Sequence, residues 1–250
     1  MYTIKGIFRQ AYRSDIIFKN PAEFLTKPAA VDGTHRKITD EERTAILAVA
    51  ETHRAGLWIK ILLYCGLRPN ETRALQWKDI DFKNRLIKVR QAMKAATRNI
   101  GTPKTDAGIR DVPIPDDFYP ALYAARGGPF MPVCSRETPG LHHTESSMRV
   151  YWNSFLRAVD IYMGAKLYRN KIIVHAVAAD LEPYCLRHTY CTDLQDKGVP
   201  INIAKYLMGH KSIELTARIY THTTDFSIQT AADLINKKSA GVAQSVAQKA

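Results

Sequence analysis

No run of eighteen apolar residues occurs in this chain of 250 residues, so no segment is long enough to cross a bilayer as a helix. The opening stretch, MYTIKGIFRQ, has no apolar core of the kind a secretion signal carries, which points to a cytoplasmic address and away from a membrane. Cysteine is scarce. Cys65, Cys134, Cys185 and Cys191 are scattered without a Cys-x-x-Cys pair, which argues against a zinc site and for free thiols in a reducing compartment. Acidic residues are also in short supply, 24 against 36 Lys plus Arg, giving a formal charge of +12 and a pI near 9.5. A balance of that size favours a polyanionic partner.

The charge is concentrated. Residues 45–110 hold thirteen basic and five acidic side chains, so +8 of the +12 lies in about a quarter of the chain. Within it, KNRLIKVRQAMKAATRNIGTPK (83–104) carries seven basic residues and no acidic one. Such a run reads as a track for a phosphate backbone, with Lys83, Arg85, Lys88, Arg90, Lys94 and Arg98 as its contacts. Aromatics are sparse there, which suits duplex backbone better than stacking on single strands.

The pattern of elements predicts a fold that is mainly α with a small antiparallel β-sheet. Residues 1–30 place Ile4, Ile7, Phe8, Ala11 and Tyr12 on one helical face, followed by a second short helix in KNPAEFL. Two such fragments before a polar linker (31–38) read as the remnant of an N-terminal domain. Thr39 and Glu42 form a capping-box signature that starts a helix, LWIKILLYCG is an apolar helix ending at Gly66, and Asn70 is expected to cap a third. The period then changes to two: in RLIKVR, Ile87 and Val89 face one way and Lys88 and Arg90 the other. With TPKTDAGIRDVPIP this places the sheet at residues 81–114. Helices resume at SSMRVYWNSFLRAVDIY, with a hairpin expected in KLYRNKIIVHAVA. Residues 226–238 read as a C-terminal helix and 239–250 as a disordered tail.

Five positions carry residue types suited to attack on a phosphodiester. Arg68 follows a helix stop, Lys104 sits in a turn, Arg187 lies in PYCLRHTY beside His188, His210 follows Gly209, and Tyr220 ends MGHKSIELTARIY. Each has a plainer reading: a surface charge or a partner for Glu71, a solvated lysine, a cap on a buried acid, a structural histidine, and a core tyrosine sharing a face with Ile213 and Ala217. Together they meet a chemical specification. Two guanidiniums can clamp the phosphate's equatorial oxygens, a lysine among cations can give a proton to the leaving alkoxide, and a tyrosine of pKa about 10 needs positive surroundings before it attacks. No metal or other cofactor is required by this inventory.

LLYCGLRPNETRALQWKDID, TPKTDAGIRDVPIP, LRHTYCTDL and LMGHKSIELTARIYTH, in this order, resemble the catalytic domain of the tyrosine recombinase (phage integrase) family, most of all integrases of prophages and conjugative transposons of Gram-positive bacteria. The resemblance spans about residues 39–225. It implies that Arg68 and Arg187 clamp the phosphate, Lys104 is the general acid, Tyr220 is the nucleophile, and His210 supports the transferred phosphate. Glu71 and His188 stand behind these groups as organisers. It also implies a 3′-phosphotyrosyl intermediate without cofactor or metal, double-stranded DNA as partner, and assembly into a tetramer on paired sites from a chain that is monomeric without DNA.

The sequence departs from the family in two places. Tyr184 stands where a histidine is usual, three residues before the second arginine; a phenol can donate to phosphate but is a poor base. The N-terminal DNA-clamping domain of the family corresponds here only to residues 1–30. Two other readings stay open at this point: a DNA-binding fragment without catalysis, and a type IB topoisomerase.

Overall fold

A computed structural model describes residues 2–26, 35–94, 99–103, 105–136 and 140–220, with the backbone alone at residues 2 and 218–220. Lys104 and Arg98, and the expected helix and tail at 226–250, lie outside the described residues. The chain divides into two units, residues 1–34 and 35–250.

In the first unit, α1 (Tyr2–Arg13) is the helix expected from the apolar face, and Ile4, Ile7 and Tyr12 of that face are exposed. The second expected helix does not form. Residues 21–24 make a turn in which the Asn20 Oδ1 accepts from the Ala22 N–H at 3.0 Å. One turn of chain fixes several dihedrals for a single hydrogen bond, so a single short turn does not extend into a helix on its own.

The second unit opens with α2 (Asp40–Thr52). The capping box forms as expected: Glu42 N–H donates to Thr39 Oγ1 at 3.1 Å and Thr39 N–H to Glu42 Oε2 at 2.9 Å. The next helix, α3 (Gly56–Cys65), is apolar on all sides and is accordingly the centre of the core, with Trp58, Ile59, Ile61, Leu62 and Leu63 buried. It stops at Gly66, whose φ of +60° is left-handed; a Cβ there would sit 2.1 Å from the Tyr190 ring, so only glycine fits. The third helix, α4 (Pro69–Ala74), begins two residues earlier than expected. Pro69 occupies its first position and biases Arg68 to the extended conformation of an N-cap, so Asn70 lies inside the helix, where its Oδ1 accepts from Arg73.

Strands β1 (Ile80–Asp81) and β2 (Leu86–Val89) follow, then β3 (Ala92–Met93) pairing with β4 (Ile100–Gly101), and β5 (Arg110–Pro113). The main sheet runs β1-β2-β5, all antiparallel, with Ile87 opposite Val112 and Val89 opposite Arg110. Ile87, Val89, Arg110 and Val112 are buried, as the period-two pattern of β2 requires.

Two helices, α5 (Tyr119–Ala124) and α6 (Glu145–Tyr162), then an exposed hairpin of β6 (Lys166–Tyr168) and β7 (Lys171–Val174), lead to α7 (Pro183–Asp196). Phe155 and Val159 of α6 and Cys185 and Leu186 of α7 complete the core around α3. A smaller cluster, Tyr190, Cys191 and Leu194 with Ala204, Leu207 and Met208, fastens α8 (Ile201–Met208) to α7. The last described element is α9 (Ile213–Tyr220). The architecture is mainly helical with small antiparallel sheets.

Candidate active site

The site is built at the C-terminal end of α8. Gly209 stops that helix in the left-handed conformation (φ +62°), and the His210 N–H reaches back to the Lys205 carbonyl at 3.1 Å. The last carbonyls of a helix have no partner within it and carry the negative end of its dipole. Here three consecutive carbonyls are each taken by a different guanidinium. Arg110 Nε donates to Leu207 O at 2.6 Å, Arg187 Nη2 donates to Met208 O, and Arg68 Nη2 donates to Gly209 O at 2.7 Å.

One carboxylate completes the arrangement. Glu71 Oε1 accepts from Arg68 Nη1 at 2.8 Å and Arg110 Nη1 at 3.0 Å; Oε2 accepts from the Arg68 backbone N–H at 2.8 Å and Arg110 Nη2 at 2.9 Å. Burial alone would raise this carboxyl, but the hydrogen bonds and charge of Arg110, with Arg187 and Arg68 nearby, bring it down to about 2. Arg187, on the second turn of α7, also donates to Gly66 O, the carbonyl left by the end of α3. Its burial first, then the neighbouring Arg68, lowers its pKa to about 9, still cationic at neutral pH. Three guanidiniums against one carboxylate leave a formal excess of two positive charges, only partly offset by carbonyl dipoles. Arg68 is the most open of the three, its side chain 31% exposed. The arrangement is suited to an incoming anion.

His210 borders the cluster. Its Nδ1 lies 2.9 Å from Oγ1 of Thr216 on α9. Burial, then Arg187, Arg68 and Arg110, depress its pKa to about 3, so the ring is neutral over the physiological range. Tyr220 is the last residue of α9, one helical turn after Thr216.

The structure thus brings together Arg68, Glu71, Arg187 and His210 from three separated segments. On α9, Ile213 is 42% exposed, and among the side chains described on that helix the buried one is Thr216. Tyr184, on the first turn of α7, is 39% exposed and stacks on His35 with ring centroids 5.1 Å apart. His188 follows Arg187 on α7 and its carbonyl accepts from Thr192 Oγ1.

The basic run 83–104 is not free of counter-charge once folded. Arg85 pairs with Asp116, Lys88 with Asp81 at 2.9 Å and Arg90 with Asp111 at 2.5 Å. The acids come from β1, β5 and the segment after it, and strand pairing sets them beside the run although sequence separates them. Lys83 and Lys94 are exposed.

Two residues of the site were not singled out from sequence. Arg110 is one, with a side chain that is 0% exposed. Its signal was the strand period, which puts it on the inward face with Val112 and Ile114, where a cation needs a buried acid. Thr216 is the other, and a polar residue in a short helix offers no comparable signal.

Comparison with known proteins identifies the family. The family model described as phage integrase family matches residues 36–119 and 148–226. The chain belongs to the phage integrase family. Among curated relatives, a tyrosine recombinase XerC-like protein of Caldanaerobacter subterraneus subsp. tengcongensis is 29% identical over 252 residues, covering 93% of this chain and 63% of that protein. The transposase from transposon Tn916 of Enterococcus faecalis is 27% identical over 258 residues, covering 94% and 60%. Among solved structures, the Tn1549 transposon integrase in complex with transposon right end DNA superposes with a TM-score of 0.66 at 25% identity, covering 93% of this chain and 76% of that one. The chain therefore spans about 60% of the length of these curated relatives. The XerA recombinase shares the fold, with a TM-score of 0.56 at 18% identity.

Proposed function

We propose that this phage integrase family chain is a DNA strand transferase that integrates or excises a mobile element by site-specific recombination. The observation that carries the reading is the set of three guanidiniums on the carbonyls of residues 207–209, sharing one carboxylate and bordered by a neutral histidine. In the proposed reaction the Tyr220 phenol gives up its proton to water and its oxygen attacks the scissile phosphorus, forming a 3′-phosphotyrosyl bond as the bond to the 5′ oxygen breaks. Lys104 gives that oxygen its proton. Arg68 and Arg187 stabilise the charge that grows on the equatorial oxygens, and donors fixed in advance contribute most where charge develops. Glu71 and Arg110 touch no reacting atom in this scheme; they hold the Arg68 fork in place. Tyr184 supplies a phenol as a further hydrogen-bond donor rather than a base. The 5′-hydroxyl of a partner strand then reverses the attack, so bond energy is conserved through the phosphotyrosine.

The proposed partner is double-stranded DNA in the bacterial cytoplasm, with assembly into a tetramer on paired sites and a monomer in its absence. The name of the Tn916 relative and the DNA complex of the Tn1549 integrase support a mobile-element substrate. Residues 1–30 are assigned to the end of an N-terminal DNA-clamping domain, 31–38 to the linker, 39–225 to the catalytic domain and 226–238 to a C-terminal helix. The test is covalent trapping. The chain is incubated with nicked duplexes from the ends of its source element, where attack releases a short fragment and strands the intermediate. A protein–DNA adduct on a denaturing gel, absent with Tyr220→Phe, is the expected result. An adduct that persists in Tyr220→Phe would remove Tyr220 from its role, and DNA binding without any adduct would reduce the chain to a binder.

A further inference from the structure

Thr216 is fully buried on α9, and among the described residues its hydroxyl has one hydrogen-bond partner, Nδ1 of His210 at 2.9 Å. A neutral imidazole has one donor and one acceptor nitrogen, and the partner of one decides the role of the other. If Nδ1 carried the proton, it would donate to Oγ1 and leave the buried threonine hydrogen without an acceptor among the described residues, an unfavourable arrangement. If the hydroxyl donates to Nδ1, both groups are satisfied. The proton of the ring then sits on Nε2, at its opposite edge.

We infer that Thr216 is a positioning residue that fixes His210 as the Nε2–H tautomer, presenting a hydrogen-bond donor to a phosphate oxygen, and that ties the tyrosine-bearing helix to the arginine cluster. The electrostatics agree. Beside Arg68, Arg110 and Arg187 a protonated imidazole is disfavoured, so the ring contributes a donor only if its single proton is on the correct nitrogen. The same bond links α9 to the residue after Gly209, whose carbonyl holds Arg68. One threonine hydroxyl therefore relates the helix that ends at Tyr220 to the groups that grip the phosphate. The role toward phosphate rests on the strand-transfer reading above; the tautomer does not.

The test uses the full chain with Thr216→Val, which keeps the shape and removes the hydroxyl, and Thr216→Ser, which keeps the hydroxyl. Proton–nitrogen correlation of the labelled imidazoles, with His210→Asn to identify the signal, reports the tautomer without DNA. The expected result is Nε2–H in the wild type and in Thr216→Ser, and loss of the fixed tautomer in Thr216→Val. On the nicked duplex at saturating DNA, Thr216→Val should cleave about 10- to 100-fold more slowly, the scale of losing an orienting partner of a histidine. Its DNA affinity should be unchanged, and Thr216→Ser should stay near the wild-type rate. An Nδ1–H signal in the wild type, or full-rate cleavage by Thr216→Val, would overturn the inference. A wild type that forms no adduct would instead remove the strand-transfer reading, and the imidazole spectrum would still decide the tautomer. If Thr216→Val does not fold, the wild-type and Thr216→Ser spectra decide it.

Discussion

Replacing Arg110 by methionine removes a fully buried cation from a carboxylate that is itself 3% exposed. Glu71 keeps its two bonds from Arg68 and loses the two from Arg110, while the Leu207 carbonyl loses its guanidinium. Removing one partner of a buried ion pair costs about 3–5 kcal/mol, because the other charge stays behind. Against the burial that would raise it, Arg110 with Arg187 and Arg68 holds the Glu71 carboxyl at about 2, well below its ordinary 4.5. The sign follows from proton binding. With the folded value below the unfolded one, the contribution is complete above about pH 4.5 and is lost as pH falls toward 2. Urea unfolding at neutral pH should therefore show Arg110→Met less stable by about 3–5 kcal/mol, with the gap narrowing in acid. The double variant Glu71→Met/Arg110→Met should recover part of the loss, since no charge is stranded. A gap below about 1 kcal/mol at neutral pH, or one that does not narrow in acid, would refute the account of Glu71 as an ion held by Arg110.

The remaining predictions are briefer. His210 has a folded pKa of about 3 against an ordinary 6.5, so between these values the unfolded chain takes up a proton that the folded one refuses, and stability rises with pH across that window. His210→Gln should flatten the profile there in unfolding curves; an unchanged slope would contradict the depressed value. Gly209→Ala places a Cβ 3.0 Å from Ala107 O and Arg110 Nη1 and 3.1 Å from Arg68 Nη1, in a left-handed conformation that costs about 1–2 kcal/mol. Unfolding should report at least that loss, and cleavage in the trapping assay should fall further than DNA affinity does. Lys83→Ala/Lys94→Ala should flatten the dependence of DNA affinity on salt by up to about 0.9 per lost phosphate contact. Arg90→Ala should do so less, because Arg90 already shares its guanidinium with Asp111 and the Arg110 carbonyl.

Much of the fold was legible because local rules act over a few residues. Thr39 and Glu42 announced a helix start, Gly66 a left-handed stop, and the change from helical to alternating period at RLIKVR located the sheet. The errors were local as well. KNPAEFL was expected to be a helix, and the start of α4 was set by Pro69 rather than Asn70, because Pro fixes the conformation of the residue before it. The basic run 83–104 was read without counter-charge because its acids are supplied across strand pairs, at distances in sequence that composition does not register.

What the sequence determined by itself was the inventory: two arginines, a histidine and a tyrosine in an ordered set of motifs, with the glycine that ends α8. Tertiary structure decided how those groups are held. Only when β5, α4 and α7 converge on the end of α8 do three guanidiniums find three successive carbonyls, and only then does Arg110 become the counter-ion of Glu71. The physical reason is range. Capping and periodicity are set within one or two turns of chain, whereas burial of charge depends on which distant groups replace the water that each guanidinium gives up.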